Sequence, residues 1–207
     1  MNRFSVLTGI PESTKGLVRE LRVRWALEEL GLPYEEVRYP HPETKQEPYL
    51  SKQPFGQVPY FSSGDLCMFE SGAILLHLAL KHNKLLPLEE TKRAHALTVF
   101  FMALNTVEPY LSHNFLTKID KDASEASKLR ARILVEEKLK VLSGILGERR
   151  YFGEDFTVAE LLMTTVLRVA KQAGILGQFP NLVAYVQRNE GRPGFKKALR
   201  DHEKLYG

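Results

Sequence analysis

The sequence predicts a mixed α/β unit over residues 1–84, in the order βαβ–loop–ββα, followed by an all-α helical unit over residues 91–207. Strand-type alternation and helical spacing take turns through the first unit. Beyond Pro87 the strand signal fades and apolar residues recur at helical intervals. The boundary falls in Lys84-Leu85-Leu86-Pro87-Leu88-Glu89-Glu90-Thr91. With 207 residues, 43% hydrophobic and 26% charged, the chain has the apolar content of a globular protein, which excludes a disordered tail, a collagen-like rod and a disulfide-stapled miniprotein.

From Arg3 to Thr8, Phe4 and Val6 alternate with Ser5 and Leu7, and Gly9 and Pro11 break the run, so this is a strand and a turn. Leu17 to Leu30 predicts a helix with two apolar rows, Leu17, Leu21 and Trp25 in one and Val23, Leu27 and Leu30 in the other. Two rows imply burial on more than one side, and Gly31 with Pro33 beyond it ends the helix. Tyr34 to Tyr39 is a strand, followed by a polar, proline-containing connection over 40–53. Val58 to Ser62 and Leu66 to Phe69 read as strands joined at Ser63-Gly64-Asp65, and Ala73 to Lys81 as an apolar helix after Glu70-Ser71-Gly72. The strand–helix–strand start requires a right-handed parallel crossover, and the hairpin adds antiparallel strands.

In the second unit, a helix over 94–111 carries Leu97, Phe100, Phe101, Leu104 and Val107, and one over 123–146 carries Leu129, Ile133, Leu139, Leu142 and Leu146. Residues 158–173 are apolar around most of the helix, which predicts a central buried element. Shorter helices follow over 181–189 and 193–201. In Phe156-Thr157-Val158-Ala159-Glu160-Leu161, Thr157 and Glu160 have capping-box spacing and Phe156 and Leu161 have staple spacing; this marks a helix start and carries no catalysis.

Lys and Arg total 29 against 25 Asp and Glu, a net charge of +4, yet the basic residues are dispersed and form no long run, so no nucleic-acid partner is expected. Apolar stretches of only a few residues fall far short of the roughly 20 that cross a bilayer, and Met1-Asn2-Arg3-Phe4-Ser5 lacks a secretory h-region, so a cytoplasmic protein without a membrane partner is expected. The single Cys67 excludes an internal disulfide and a CxxC pair and fits a reducing compartment. On its strand it is expected to be a buried structural thiol. The six histidines show neither HxxxH nor HExxH spacing, and no metal is expected.

Two stretches carry chemistry. In Gln53-Pro54-Phe55-Gly56-Gln57-Val58-Pro59, the proline opening a strand cannot donate to the ladder. A cis bond before Pro59 would turn Val58's amide and carbonyl outward as an edge for a small peptide; trans is the commoner state and the expectation from local sequence. Glu70-Ser71 precedes a helix, where Ser71 is a good N-cap and the free N–H groups favour a carboxylate, with Glu70 offering a negative charge to an ammonium group. Such a pair could hold both ends of one α-amino acid, although a capping Ser beside a dipole-favoured Glu is common in itself.

These stretches together resemble the cytosolic, bacterial-type glutathione S-transferase family. The resemblance spans nearly the whole chain: Ala26-Leu27-Glu28-Glu29-Leu30-Gly31-Leu32-Pro33-Tyr34-Glu35, Pro54 to Pro59, Glu70-Ser71-Gly72-Ala73-Ile74, the Thr157 box, Phe179-Pro180-Asn181-Leu182-Val183-Ala184-Tyr185 and Arg192-Pro193-Gly194-Phe195. It implies a thioredoxin-like N-terminal domain, an all-α C-terminal helical domain, a homodimer and a cis bond at Pro59. It further implies glutathione as co-substrate, with Val58 pairing with its cysteinyl part, Gln57 beside it, and Glu70 and Ser71 on its γ-glutamyl group. Gln53 stands where many members have Asn.

The family's catalytic Ser or Cys position falls on Leu17, which has no polar group, and its Tyr position falls near Ser13. Ser13 is therefore the first candidate hydroxyl donor to the thiolate and Thr14 the second, with Lys15 and Arg19 at the start of the first helix supplying a field that lowers the thiol pKa. The implied activity is conjugation of glutathione to a small hydrophobic electrophile, a detoxification reaction. The pocket's second wall would come from residues 94–115, with Phe101, Asn105, Tyr110 and His113 as candidates. Two alternatives stand beside it: a glutathione-dependent peroxidase or disulfide reductase, and a non-catalytic glutathione-binding regulator on the same fold.

Overall fold

Phe4 and Val6 are fully buried, and so is Ser5 between them, because the first strand is covered on both faces. The computed structural model describes residues 1–205. They form two compact units, one running to Leu85 and resuming from Gly191 on, the other Leu86–Glu190. In the first unit, β1 (Asn2–Thr8) lies inside a four-stranded sheet of order β2-β1-β3-β4. It pairs in parallel with β2 (Tyr34–Pro40) and antiparallel with β3 (Tyr60–Ser63), which in turn pairs antiparallel with β4 (Leu66–Phe69). The register sets Phe4 opposite Phe61 and Tyr60 opposite Phe69.

Helix α1 (Glu20–Leu30) is buried continuously from Glu20 to Leu27, as its two apolar rows require. It begins three residues later than the sequence predicts. Leu17 lies in a turn, closed by its N–H on the Thr14 carbonyl, after Gly16 has taken a positive φ of 74°. Gly31 at φ 67° terminates the helix with its N–H on the Glu28 carbonyl. Helix α2 (Ser71–His82) packs on α1 and ends at Asn83 in the left-handed region. The Val58–Pro59 bond is cis, as is Glu47–Pro48. β3 starts at Tyr60 and not Val58, since a proline has no N–H for the ladder.

The second unit holds α3 (Glu90–Phe101), α4 (Glu108–Ile119), α5 (Glu125–Leu146), α6 (Val158–Gln172) and α7 (Pro180–Glu190). The single helix expected over 94–111 is instead α3 and α4 joined by a π-helical segment, Met102–Val107. Pro109 explains it: its ring clashes with the carbonyl four residues back, and the wider turn removes that conflict. α6 is buried all round from Val158 to Leu167. Thr157 caps it by accepting from the Ala159 N–H at 3.2 Å, but Glu160 does not close a capping box. Its carboxylate turns into the core, accepting from the Gly153 N–H at 3.0 Å and the Tyr185 hydroxyl at 2.5 Å. Burial pushes the Glu160 pKa up.

Helix α8 (Pro193–Glu203) departs from the expected 91–207 grouping, because it packs on α1 within the first unit. Phe195 and Ala198 are buried there, and the Phe195 ring meets Trp25 edge-on at 4.8 Å. The Glu29 carboxylate accepts two bonds from the Arg192 guanidinium, both 2.8 Å, and one from Trp25 Nε1 at 2.9 Å. At the far end, the Gly16 N–H donates to His202 Nε2 at 2.9 Å, while His202 Nδ1 lies 2.9 Å from Glu20 Oε1, both side chains fully buried.

Candidate functional site

The sheet's strand directions bring the chemistry-bearing segments to one end of the first unit. β1 leaves that end into the turn carrying residues 9–19, β3 enters there after Val58-Pro59, and β4 exits there into Glu70 and Ser71. Val58 packs with Tyr49 and Tyr60 and is flanked by Leu7, Val18 and Tyr39, which ties its loop to β1, β2 and the turn before α1.

The loop before Pro59 is held from several directions. Gln53, buried at 2% exposure, accepts the Gln57 N–H on Oε1 at 3.0 Å and the Gly56 N–H on its backbone oxygen at 3.0 Å. Gly56 adopts φ +60°, and a Cβ there would stand 2.7 Å from the Thr44 carbonyl oxygen, so only glycine fits. Lys45 Nζ donates to the Gly56 carbonyl at 2.7 Å. The Tyr49 hydroxyl donates to the Gln57 carbonyl at 2.5 Å. Both backbone groups of Gln57 are thereby satisfied, whereas the N–H and C=O of Val58 make no hydrogen bond among the described residues. A peptide backbone would complete them.

Glu70 takes φ 68° and ψ 108°, a conformation that costs a non-glycine residue about 1–3 kcal/mol. Glu70 and not Ser71 is the N-cap residue of α2; Ser71 is its first helical residue, and the Glu70 side chain is exposed and makes no capping bond. The Ser71 hydroxyl, 5% exposed as a residue, accepts from Arg22 Nη1 at 3.2 Å. Arg22, buried on the first turn of α1, thus sets a cation beside the positive end of α2, and the two together favour a carboxylate. Sequence reasoning missed Arg22. The available signal was a basic residue inside a helix with two apolar rows, which must find a partner when buried.

Ser13 is exposed in the short 3-10 turn Glu12–Thr14. The Thr14 hydroxyl donates to the Pro11 carbonyl at 2.8 Å, which commits its proton. Lys15 pairs with Glu12 at 2.6 Å, and Arg19 is exposed immediately before α1; Lys15 therefore lies in the turn and not at the helix start. Cys67 is exposed, contrary to the buried thiol expected, because β4 is the outer strand of the sheet. Burial raises the pKa of the Tyr39 and Tyr49 phenols beside Val58 to about 12 and keeps both protonated. Of the proposed wall residues in the second unit, Phe101, Asn105 and His113 are exposed, and Tyr110 carries Lys138 Nζ 4.7 Å from its ring centroid.

A βαβ–ββα unit followed by helices is the thioredoxin-like architecture with an all-α second domain. Comparison with known proteins assigns it more narrowly. Residues 15–80 match the model of the glutathione S-transferase N-terminal domain, and residues 66–193 match that of the C-terminal domain. The chain belongs to the glutathione S-transferase family. It is 30% identical over 201 residues to a glutathione S-transferase of Hyoscyamus muticus, covering 86% of this chain and 92% of the relative. Its fold is similar to that of the glutathione transferase URE2P6 from Phanerochaete chrysosporium, solved with oxidized glutathione (TM-score 0.86, 20% identity, 99% of this chain and 97% of that one). It is likewise similar to a glutathione transferase family member from Pseudomonas fluorescens pf-5 with two glutathione bound (TM-score 0.80, 24% identity, 96% and 92%).

Proposed function

We propose that the first unit binds glutathione and that the protein transfers its thiolate to a small hydrophobic electrophile. The observation that carries this is the open N–H and C=O of Val58 at the same end of the sheet as the Ser71 helix start and Arg22. In this reading Val58 pairs with the cysteinyl backbone, with Gln57 and Pro59 fixing the edge. The helix start at Ser71, reinforced by Arg22, receives the α-carboxylate of the γ-glutamyl group, and the Glu70 carboxylate its ammonium.

The Ser13 hydroxyl is the first candidate donor to the sulfur and Thr14 the second, with Lys15 and Arg19 adding positive potential. The thiol proton leaves to solvent. The thiolate then attacks an electrophilic carbon, the C–S bond forms, and a leaving group such as halide departs with the bonding pair. The protein is proposed to act in the cytoplasm. Exposed Phe115, Leu116 and Ile119 on α4, with Leu129 and Ile133 on α5, support a homodimer, which sedimentation velocity would test.

The test is calorimetry with glutathione alongside conjugation of an aryl halide by wild type and Ser13→Ala. Binding, turnover and a loss of about 10- to 100-fold in kcat/KM in the variant are expected. Absence of any binding heat from folded protein overturns the reading, and full activity in Ser13→Ala removes Ser13 from it. The two structural neighbours holding oxidized glutathione or two glutathione molecules favour a second reading, a glutathione-dependent disulfide reductase. There one glutathione thiolate attacks a disulfide, displacing a thiolate, and a second glutathione resolves the mixed disulfide. Turnover of hydroxyethyl disulfide faster than of aryl halides would select it.

A further inference from the structure

Ser5, Tyr49 and Tyr60 form a buried chain of hydrogen bonds whose directions are fixed by what each group can do. The Gln57 carbonyl only accepts, so the Tyr49 hydroxyl donates to it at 2.5 Å. The Ser5 hydroxyl, 2.9 Å away, then donates to Tyr49, and Ser5 Oγ accepts the Tyr60 N–H at 2.8 Å. Ser5 is fully buried and Tyr49 is 1% exposed, so water does not compete for these groups. One β1 side chain therefore braces the backbone on both sides of Val58-Pro59, directly at Tyr60 and through Tyr49 at Gln57.

The brace acts on one peptide plane in particular. The carbonyl of Gln57 and the N–H of Val58 belong to the same trans peptide, which is planar and points them in opposite directions. Holding the carbonyl inward on Tyr49 turns the Val58 N–H away from the core. We infer that Tyr49, seconded by Ser5, is a positioning residue that aims the Val58 N–H at the peptide ligand. This rests on the glutathione-binding reading above. Tyr49 acts through the Gln57–Val58 peptide and has no contact with the reacting sulfur in this scheme.

Tyr49→Phe removes one oxygen and keeps the ring packed against Tyr39 and Tyr60. Tyr39→Phe is the control, because among the described residues the Tyr39 hydroxyl meets only the Tyr60 hydroxyl, at 3.3 Å, and leaves the Gln57 peptide untouched. In Tyr49→Phe the KM for glutathione is expected to rise about five- to tenfold with kcat within about twofold, whereas Tyr39→Phe leaves KM unchanged. By NMR of the ligand-free proteins, the Val58 N–H order parameter is expected to fall from about 0.85 toward 0.6 in Tyr49→Phe alone. Ser5→Ala is expected to shift both readouts in the same direction and by less, and serves if Tyr49→Phe does not fold. An unchanged Val58 order parameter in Tyr49→Phe and Ser5→Ala, or an equal KM rise in Tyr39→Phe, overturns the inference. If wild type binds no glutathione, the functional reading falls, while the order parameter still decides whether Tyr49 orients that peptide.

Discussion

Replacing Gly56 with alanine tests whether the loop before Pro59 depends on one close approach. Gly56 and Gly64 both sit at φ +60°, but their surroundings differ. A Cβ on Gly64 meets nothing within 4 Å, whereas one on Gly56 stands 2.7 Å from the Thr44 carbonyl oxygen and 2.8 Å from Lys45 Cδ. An alanine in the left-handed region costs about 1–2 kcal/mol, offset by about 0.4–1 kcal/mol from the lower freedom of the unfolded chain. Gly64→Ala should therefore lose about 0.5–1 kcal/mol. Gly56→Ala adds the displacement of a backbone oxygen on buried Thr44, about 1–3 kcal/mol more. Trp25 is the chain's one tryptophan and is fully buried in the first unit, so its fluorescence during urea titration reports that unit. The Gly56→Ala midpoint should fall about 1 M below that of Gly64→Ala, with weaker glutathione binding because Gln57 and Val58 follow directly. Coinciding midpoints would refute the role given to that approach.

Glu29→Gln should loosen α8 by weakening the bidentate bond to Arg192, costing about 1–2 kcal/mol because the arginine keeps 30% side-chain exposure. Red-shifted Trp25 emission and faster tryptic cleavage within α8 at the exposed Lys196 would register it, and unchanged cleavage would count against the clamp. On alkaline titration, Tyr34, Tyr39 and Tyr49 should ionise only near about 12, their burial disfavouring the phenolate. Their folded pKa values lie above the unfolded value of about 10, so this stabilisation is whole below pH 10 and is lost as pH rises toward 12. Phenolate absorbance that appears fully by pH 10.5 without unfolding would contradict it. Cys67, exposed on β4, should react with one equivalent of an aromatic disulfide reagent in the native state, and reaction only in urea would place it inside.

Patterns that repeat along the chain were legible, and contacts made across it were not. The two apolar rows of α1 and the uniform apolarity of α6 each require burial, and both helices are buried as read. The register of the turn before α1 was not readable, because a 3-10 turn and Gly16 at positive φ displace the helix start beyond Leu17. Pro109 interrupts a helix whose apolar spacing runs through it, so periodicity alone concealed the π segment. In the candidate site, Glu70, Ser71, Gln57 and Val58 are proposed from local motif and from family resemblance. Arg22 and Tyr49 are not, since each owes its place to a partner distant in sequence: Ser71 in one case, Ser5 and Gln57 in the other. Cys67 was misplaced because strand order decides which strand lies outermost, and local sequence does not carry that order.

The docking of α8 onto α1 also bears on how the chain is made. Trp25 gains its Phe195 neighbour, and Gly16 its His202 acceptor, only after some 170 further residues have been polymerised. At ribosomal speeds of about 5–20 residues per second this is a delay of roughly ten seconds or more. Throughout it the first helix stands with one flank uncovered while the segment from Leu86 to Glu190 is free to collapse. The α/β half begins synthesis first and closes last.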